Sequence, residues 1–141
     1  MKLNSIWIAA LATLALAGCN RAESPAQTQA DVAAAQADAH RDIADAEADA
    51  QEQMADVQRD AAEAARDNDQ DAAADAAHEM SETAAEGEYK VAVAQAEATH
   101  KIAIEKCETL TGAAQDDCKE RADAALENAK RQAENRRDGT G

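Results

Sequence analysis

The chain has 141 residues, with 29 Asp and Glu against 14 Lys and Arg, a formal net charge of −15, one Trp, one Tyr and no Phe. Its 45% hydrophobic fraction is mostly alanine, whose methyl group buries far less area than Leu or Phe, so a large packed core is excluded. Long helices, helical hairpins or disorder are the forms left to such a composition.

At the amino terminus, Met1 to Asn4 carry one positive side chain, Lys2, and Ser5 to Ala17 (SIWIAALATLALA) form an apolar run ending in small residues. At about 1.5 Å rise per residue the run covers roughly 20 Å, short of the roughly 30 Å that a transmembrane helix crosses, so residues 1–18 read as a signal peptide. Leu16-Ala17-Gly18-Cys19 follows directly and resembles the lipobox of bacterial lipoproteins. The alternative is an ordinary secretory signal with a chance Cys near its end. The resemblance implies a diacylglyceryl group on Cys19, cleavage just before it, and anchoring by acyl chains whose buried CH₂ groups contribute about 0.8 kcal/mol each. In such lipoproteins an Asp after the lipidated Cys favours the inner membrane. The residue here is Asn20, which implies the outer membrane with the chain on its periplasmic face.

Removal of the signal takes Trp7 and Lys2 with it, leaving Tyr89 as the one aromatic residue and a mature formal charge of −16. Neither stacking on bases nor counterion release is then available, so nucleic acid is excluded as a partner. Residues 19–30 read as the anchor and a flexible tether, because Asn20 to Ala30 holds the single proline, Pro25, among Ala, Gln, Ser and Thr.

Residues 31–87 form an acidic segment bounded by Gly87: Asp31 to Glu86 contains 17 acidic and 3 basic residues. In blocks of eleven from Val32 it reads VAAAQADAHRD, IADAEADAQEQ, MADVQRDAAEA, ARDNDQDAAAD and AAHEMSETAAE. Asp38, Asp49, Asp60, Asp71 and Glu82 recur at the seventh place, and Ala39, Ala50, Ala61 and Ala72 at the eighth. Eleven residues in three turns keep a stripe nearly straight along a helix, which predicts a rod. Asp is a poor interior helix former and its neighbours repel, so the alternative is a solvated, partly disordered spacer. Ala65 to Asp75 has no large apolar residue and four Asp, and the helix is expected to fray or break there. The repeat also resembles, by composition, the eleven-residue repeats of late-embryogenesis-abundant proteins.

Glu88 to Gly141 is nearly balanced, with 11 acidic and 9 basic residues. Tyr89, Val93, Ala96, His100, Ala103 and Cys107 alternate at spacings of four and three, as do Cys118, Ala122, Ala125, Ala129 and Ala133, and each set marks a helical seam. Leu110-Thr111-Gly112 supplies the stop, and Gln115-Asp116-Asp117 falls in the first turn of the next helix, where acid suits the dipole. The spacing predicts an antiparallel hairpin over residues 88–137, with Cys107 beside Cys118, Ala103 beside Ala122, His100 beside Ala125 and Ala96 beside Ala129. Residues 138–141 are expected to be a disordered tail. Val91, Ala94, Ala98, Ile102 and Glu105 run along another face of the first hairpin helix. That face requires either the acidic helix packed back onto it or a second chain.

With Cys19 consumed by lipid, two Cys are left in an oxidising compartment, and a Cys107–Cys118 disulfide is the economical assignment. A redox-active or metal-binding pair is the alternative, although the spacing is far from C-x-x-C and no His stands near both thiols. Tyr89-Lys90 … Lys106-Cys107-Glu108 … Leu110 … Gly112 … Ala114 … Asp116 … Cys118-Lys119 … Ala122 resembles a segment of small proteobacterial exported proteins, of the form YK…KC(D/E)xLxGxAxDxC, often labelled TolA-like. That resemblance implies paired cysteines and an envelope location and no activity; TolA itself is Lys-rich with a transmembrane helix.

No catalytic residues are assigned. His40, His78 and His100 form no H-x-x-x-H pair, no nucleophile-elbow or phosphate loop is present, and the carboxylates share one environment. No cofactor and no selective metal site follow. The expected molecule is all-α and not an enzyme: a long Ala/Asp-rich helix or partly disordered spacer, followed by a disulfide-stapled antiparallel helical hairpin. Its expected role is an outer-membrane lipoprotein acting as a structural or interaction element of the envelope, bound to the membrane through its lipid and to an envelope protein or its own copies through helices. The alternatives are an acidic stress-protective or divalent-cation-buffering protein, and an envelope redox protein. The anchor and helix also resemble the major outer-membrane lipoprotein, but the chain ends Arg136-Arg137-Asp138-Gly139-Thr140-Gly141, without that family's terminal Lys for the cell wall.

Overall fold

A computed structural model describes residues 22–67 and 70–139. The expected signal peptide and the lipobox-like Leu16–Cys19 stretch lie outside the described residues. Every regular element among those residues is helical: α1 is Pro25–Asp67 (43 residues), α2 is Gln70–Cys107 (38 residues) and α3 is Ala113–Gly139 (27 residues).

α1 starts inside residues 19–30, the expected anchor and tether. Ser24 is its cap: the Ser24 Oγ accepts from the Gln27 N–H at 3.3 Å, and the Ser24 carbonyl accepts from the Thr28 N–H at 3.0 Å. Pro25 then occupies the first helical position, where its missing N–H costs nothing and its fixed φ suits the helix. Ser24 and Pro25, expected in the tether, start the helix.

α1 ends at Asp67 and α2 begins at Gln70, inside the Ala65–Asp75 block that lacks large apolar side chains. The eleven-residue pattern is thus folded back on itself. Three observations set the antiparallel register. Lys101 Nζ donates to Asp42 Oδ2 at 2.6 Å, Lys90 Nζ donates to Gln53 Oε1 at 3.3 Å, and the Glu23 N–H donates to the Glu108 carbonyl at 3.0 Å. Gly87 sits against Ala50 between them.

Small residues occupy this seam at intervals of eleven. Ala76, Gly87 and Ala98 are the buried positions of α2 that repeat so, and in α1 Thr28 and Ala39 are buried with Ala50 and Ala61 half-buried. Counted from the Gly87–Ala50 contact, Ala98 falls level with Ala39 and Ala76 with Ala61. Three turns on each helix bring a small residue to the same place, so two nearly straight helices approach closely along their length. Of the face carrying Val91, Ala94 and Ala98, α1 covers Ala98, whereas Val91 lies at the edge of the seam. Gly87, expected to bound two segments, is buried in the middle of a continuous α2.

α3 packs on the other side of α2, also antiparallel. Lys119 bonds Glu108 at 2.6 Å at one end, Lys130 bonds Glu97 at 2.9 Å in the middle, and Arg137 approaches Glu86 at 3.9 Å at the other. Ala96, on the α3 side, and Ala98, on the α1 side, are two residues apart and so point about 200° apart around the axis. α1 and α3 make no Cα approach within 8 Å. The fold is therefore a flat three-helix layer with α2 in the centre, held by two thin seams. α3 extends to Gly139, so Asp138 and Gly139, expected in the tail, are helical.

Gly112, between α2 and α3, has φ +58°, a left-handed conformation that glycine adopts without a Cβ clash. Its carbonyl accepts from the Gln115 and Asp116 N–H groups at 2.9 and 3.1 Å and so opens α3. No helix among the described residues is long and apolar enough to cross a membrane.

Candidate functional site

The Cys107–Cys118 disulfide joins the last residue of α2 to the first turns of α3, with Cα atoms 5.7 Å apart. Cys107 is 1% exposed and is the largest fully buried side chain among the described residues. The cross-link closes an eleven-residue separation around the Gly112 turn, so the loop adopts few unfolded conformations.

The two broad faces of the layer differ in chemistry. On one, ion pairs cross from helix to helix: Lys101–Asp42 between α2 and α1, and Lys119–Glu108 and Lys130–Glu97 between α3 and α2. Hydrogen bonds donated to the Asp42, Glu108 and Glu97 carboxylates are the first cause that holds the Lys101, Lys119 and Lys130 ammonium groups above the ordinary lysine range. Arg137, which approaches Glu86 at 3.9 Å, stacks over the Tyr89 ring with its guanidinium carbon 4.6 Å from the centroid, which fastens the end of α3 to α2, and Arg137 and Tyr89 also line the groove on the opposite face.

On the opposite face α2 forms the floor of a groove of about 720 Å³, walled by α1 and α3. Met54 and Val91 give it apolar surface, Gln51 and Gln95 give it polar uncharged surface, and Glu47 and Arg136 stand on its opposite walls. A second groove of about 290 Å³ continues from it between α2 and α3, past Ala96, Thr99, Leu126 and Ala129. The two share Ala92, Gln95 and Arg136, and together they run along α2 from Thr83 to Ala103. This face holds few charges in a chain that is 30% charged.

A third feature lies where α1 begins. Burial of the Glu23 carboxyl, followed by the charges of Asp31, Glu108 and Glu105, raises Glu23 above the usual carboxylate range, against a lowering hydrogen bond from Thr28. Its Oε2 is buried without a hydrogen-bond partner.

The residues singled out from the sequence fall as follows. Cys107 and Cys118 are joined, whereas Cys19 lies outside the described residues. His100 Nε2 lies 2.6 Å from Asp123 Oδ1 on α3, His78 faces Glu82 at 3.5 Å within α2, and His40 is exposed on α1, so the three do not meet. Ala96, Ala103, Ala122 and Ala129 line the α2–α3 seam, and Ala125 lies at its exposed edge. Among the described residues, no group of three or more His, Cys, Asp or Glu is placed to hold a metal ion. The groove face was not singled out from the sequence. Its signal is the run of uncharged Gln51, Met54, Ala55 and Gln58 along one side of an otherwise acidic helix.

No protein-family model matches the chain, and comparison with curated proteins and with solved structures likewise yields no match.

Proposed function

We propose that the protein is a lipid-anchored, non-enzymatic component of the bacterial outer membrane, a structural or interaction element on its periplasmic face. One observation carries the reading: Leu16-Ala17-Gly18-Cys19 directly follows an apolar run too short to span a bilayer. The disulfide supports it, because a Cys107–Cys118 bridge persists in an oxidising compartment such as the periplasm. Helices of this kind offer long surfaces and a shallow groove rather than a deep pocket, which suits contact with another protein better than turnover of a small molecule. In this reading the α2–α3 hairpin, stapled by its disulfide, is the better-defined interaction element, and the acidic end of α1 and α2 stands off from the membrane.

Mass spectrometry of the protein purified from its own envelope tests the anchor. The expected result is an amino terminus at Cys19 with its acyl groups, and a Cys19→Ala variant that leaves the membrane fraction. An unmodified Cys19 thiol, or a wild-type protein recovered wholly in the soluble fraction, overturns it.

A second reading, buffering of divalent cations, draws on the charge of residues 46–67 and 70–86, which contain 12 acidic and 2 basic side chains. It predicts a chain that is coil in cation-free buffer and becomes helical with Ca²⁺. Circular dichroism that finds full helicity without cations removes that reading.

A further inference from the structure

The flat layer leaves one long face uncovered, and its chemistry matches that of its own copy. We propose that the groove face is the interface for a second copy of this chain, with the two layers stacked face to face about a two-fold axis parallel to α2.

Three observations lead there. First, the helix-to-helix ion pairs Lys101–Asp42, Lys130–Glu97 and Lys119–Glu108 lie on the other face, where burial against a partner would require desolvating them. The groove face is mostly Ala, Met, Val and Leu with uncharged Gln and Thr, whose removal from water costs less than that of an ion pair and is offset where the amides bond across the interface. Second, the face is large enough. α3 has 27 residues, roughly 40 Å of helix, and three helices at spacings of about 8–10 Å make a surface on the order of 1,000 Å². A standard interface needs about 800 Å² from each partner.

Third, the charges choose the arrangement. Counted from the Gly87–Ala50 contact, Glu47 on α1 stands level with Lys90 of α2, and counted from the Arg137–Glu86 and Lys130–Glu97 pairs, Arg136 on α3 stands level with the stretch between Gly87 and Val91. Glu47 and Arg136 therefore sit at one height on opposite walls of the groove. Rotation by half a turn about the α2 direction lays the α1 of one copy over the α3 of the other without changing height. Glu47 then meets Arg136 of the second copy, twice. The other two-fold, with helices running oppositely, lays α1 on α1 and sets acidic helix against acidic helix. The pairing arrangement also brings both Ala22 residues to one end of the dimer, as two chains anchored in one membrane require. Glu88 meets its own copy on the axis, between the two Arg136 side chains, and Gln95 meets Gln95.

This inference deepens the interaction role proposed above by naming the partner, and it is tested without reference to the anchor. The mature chain in mild detergent is measured by sedimentation equilibrium at several concentrations, and single-cysteine reporters are cross-linked with a short bismaleimide. The expected result is a reversible dimer that cross-links through Gln95→Cys on the groove face and not through Glu97→Cys on the ion-paired face. Glu47→Arg and Arg136→Glu are each expected to weaken the dimer by at least about tenfold, and the double variant to recover it. Glu88→Gln is expected to tighten it. A chain that remains monomeric at about 100 µM, cross-links as readily through position 97, or shows no recovery in the double variant overturns the proposal. A monomer that still carries acyl groups on Cys19 overturns this inference alone and leaves the anchor standing.

Discussion

Gly87 of α2 and Ala50 of α1 meet so closely that a Cβ built on Gly87 would lie 3.0 Å from the Ala50 Cβ. That contact sets how near the two helices come, and through the eleven-residue spacing it also places Ala39 level with Ala98 and Ala61 with Ala76.

Substitutions at this contact separate two opposing effects. Gly87→Ala gains roughly 1 kcal/mol of helix propensity but crowds Ala50, so its net effect on unfolding free energy is expected to fall within about 1 kcal/mol of zero. In an Ala50→Gly background, where the crowding is gone, Gly87→Ala is expected to stabilise by about 1 kcal/mol. Gly87→Leu drives the helices apart and is expected to cost about 2–3 kcal/mol. Urea denaturation followed by circular dichroism measures all three, and an equal effect of Gly87→Ala in both backgrounds would contradict the close approach.

Reduction of the Cys107–Cys118 bridge is expected to lower stability by about 3 kcal/mol, the chain-entropy value for a loop of this size. With so few bulky side chains in the seams, that is a large share of the total. Thermal melts of the wild type with and without reductant, set beside a Cys107→Ser, Cys118→Ser double variant, should show the two reduced forms melting alike and well below the oxidised chain.

Raised salt is expected to stabilise the fold. Exposed ion pairs such as Lys101–Asp42, whose side chains are about half exposed, contribute a few tenths of a kcal/mol each, and salt weakens them. The net charge of −15 repels itself throughout the layer, above all between α1 and the first part of α2, and salt screens that too. The second effect outweighs the first, so the melting temperature should rise between 20 mM and 500 mM NaCl, where about 20 Å of screening length shrinks to a few Å. A fall would show that the ion pairs dominate.

Acid should help the end where α1 begins. Glu23 is raised above its ordinary 4.5 in the folded state, so between that value and its folded value the native chain holds more protons than the unfolded one. Stability from this group therefore increases as pH falls through the window and is lost as pH rises through it. Glu23→Gln is expected to raise the melting temperature at pH 7, to leave it unchanged near pH 3, and to flatten its slope between. The lysines act at the other extreme: the Lys101, Lys119 and Lys130 contributions are present below 10.5 and are lost as pH rises past it.

Much of this molecule is written in local sequence. Alanine abundance and absence of bulky aromatics make it helical, the Ala65–Asp75 block marks where the first helix ends, and Gly112 and the paired cysteines specify the joint between α2 and α3. These are properties of a few neighbouring residues, so no knowledge of distant contacts is needed to read them. The Ser24–Pro25 start was equally local but was masked by the tether-like composition around it.

Tertiary structure alone decided which surfaces meet. An eleven-residue stripe of alanines states that something can approach closely along that line, but it is equally compatible with a second chain, with α3 or with the same repeat folded back, because methyl groups carry no direction. Long-range terms made the choice. The absent side chain of Gly87 admits Ala50, Lys101 and Lys90 reach Asp42 and Gln53 from the far helix, and the bridge at Cys107 commits the opposite side of α2 to α3. With its two seams about half a turn apart, α2 becomes the middle of a layer, and only then do Glu47 and Arg136, 89 positions apart in the chain, stand on facing walls of one groove.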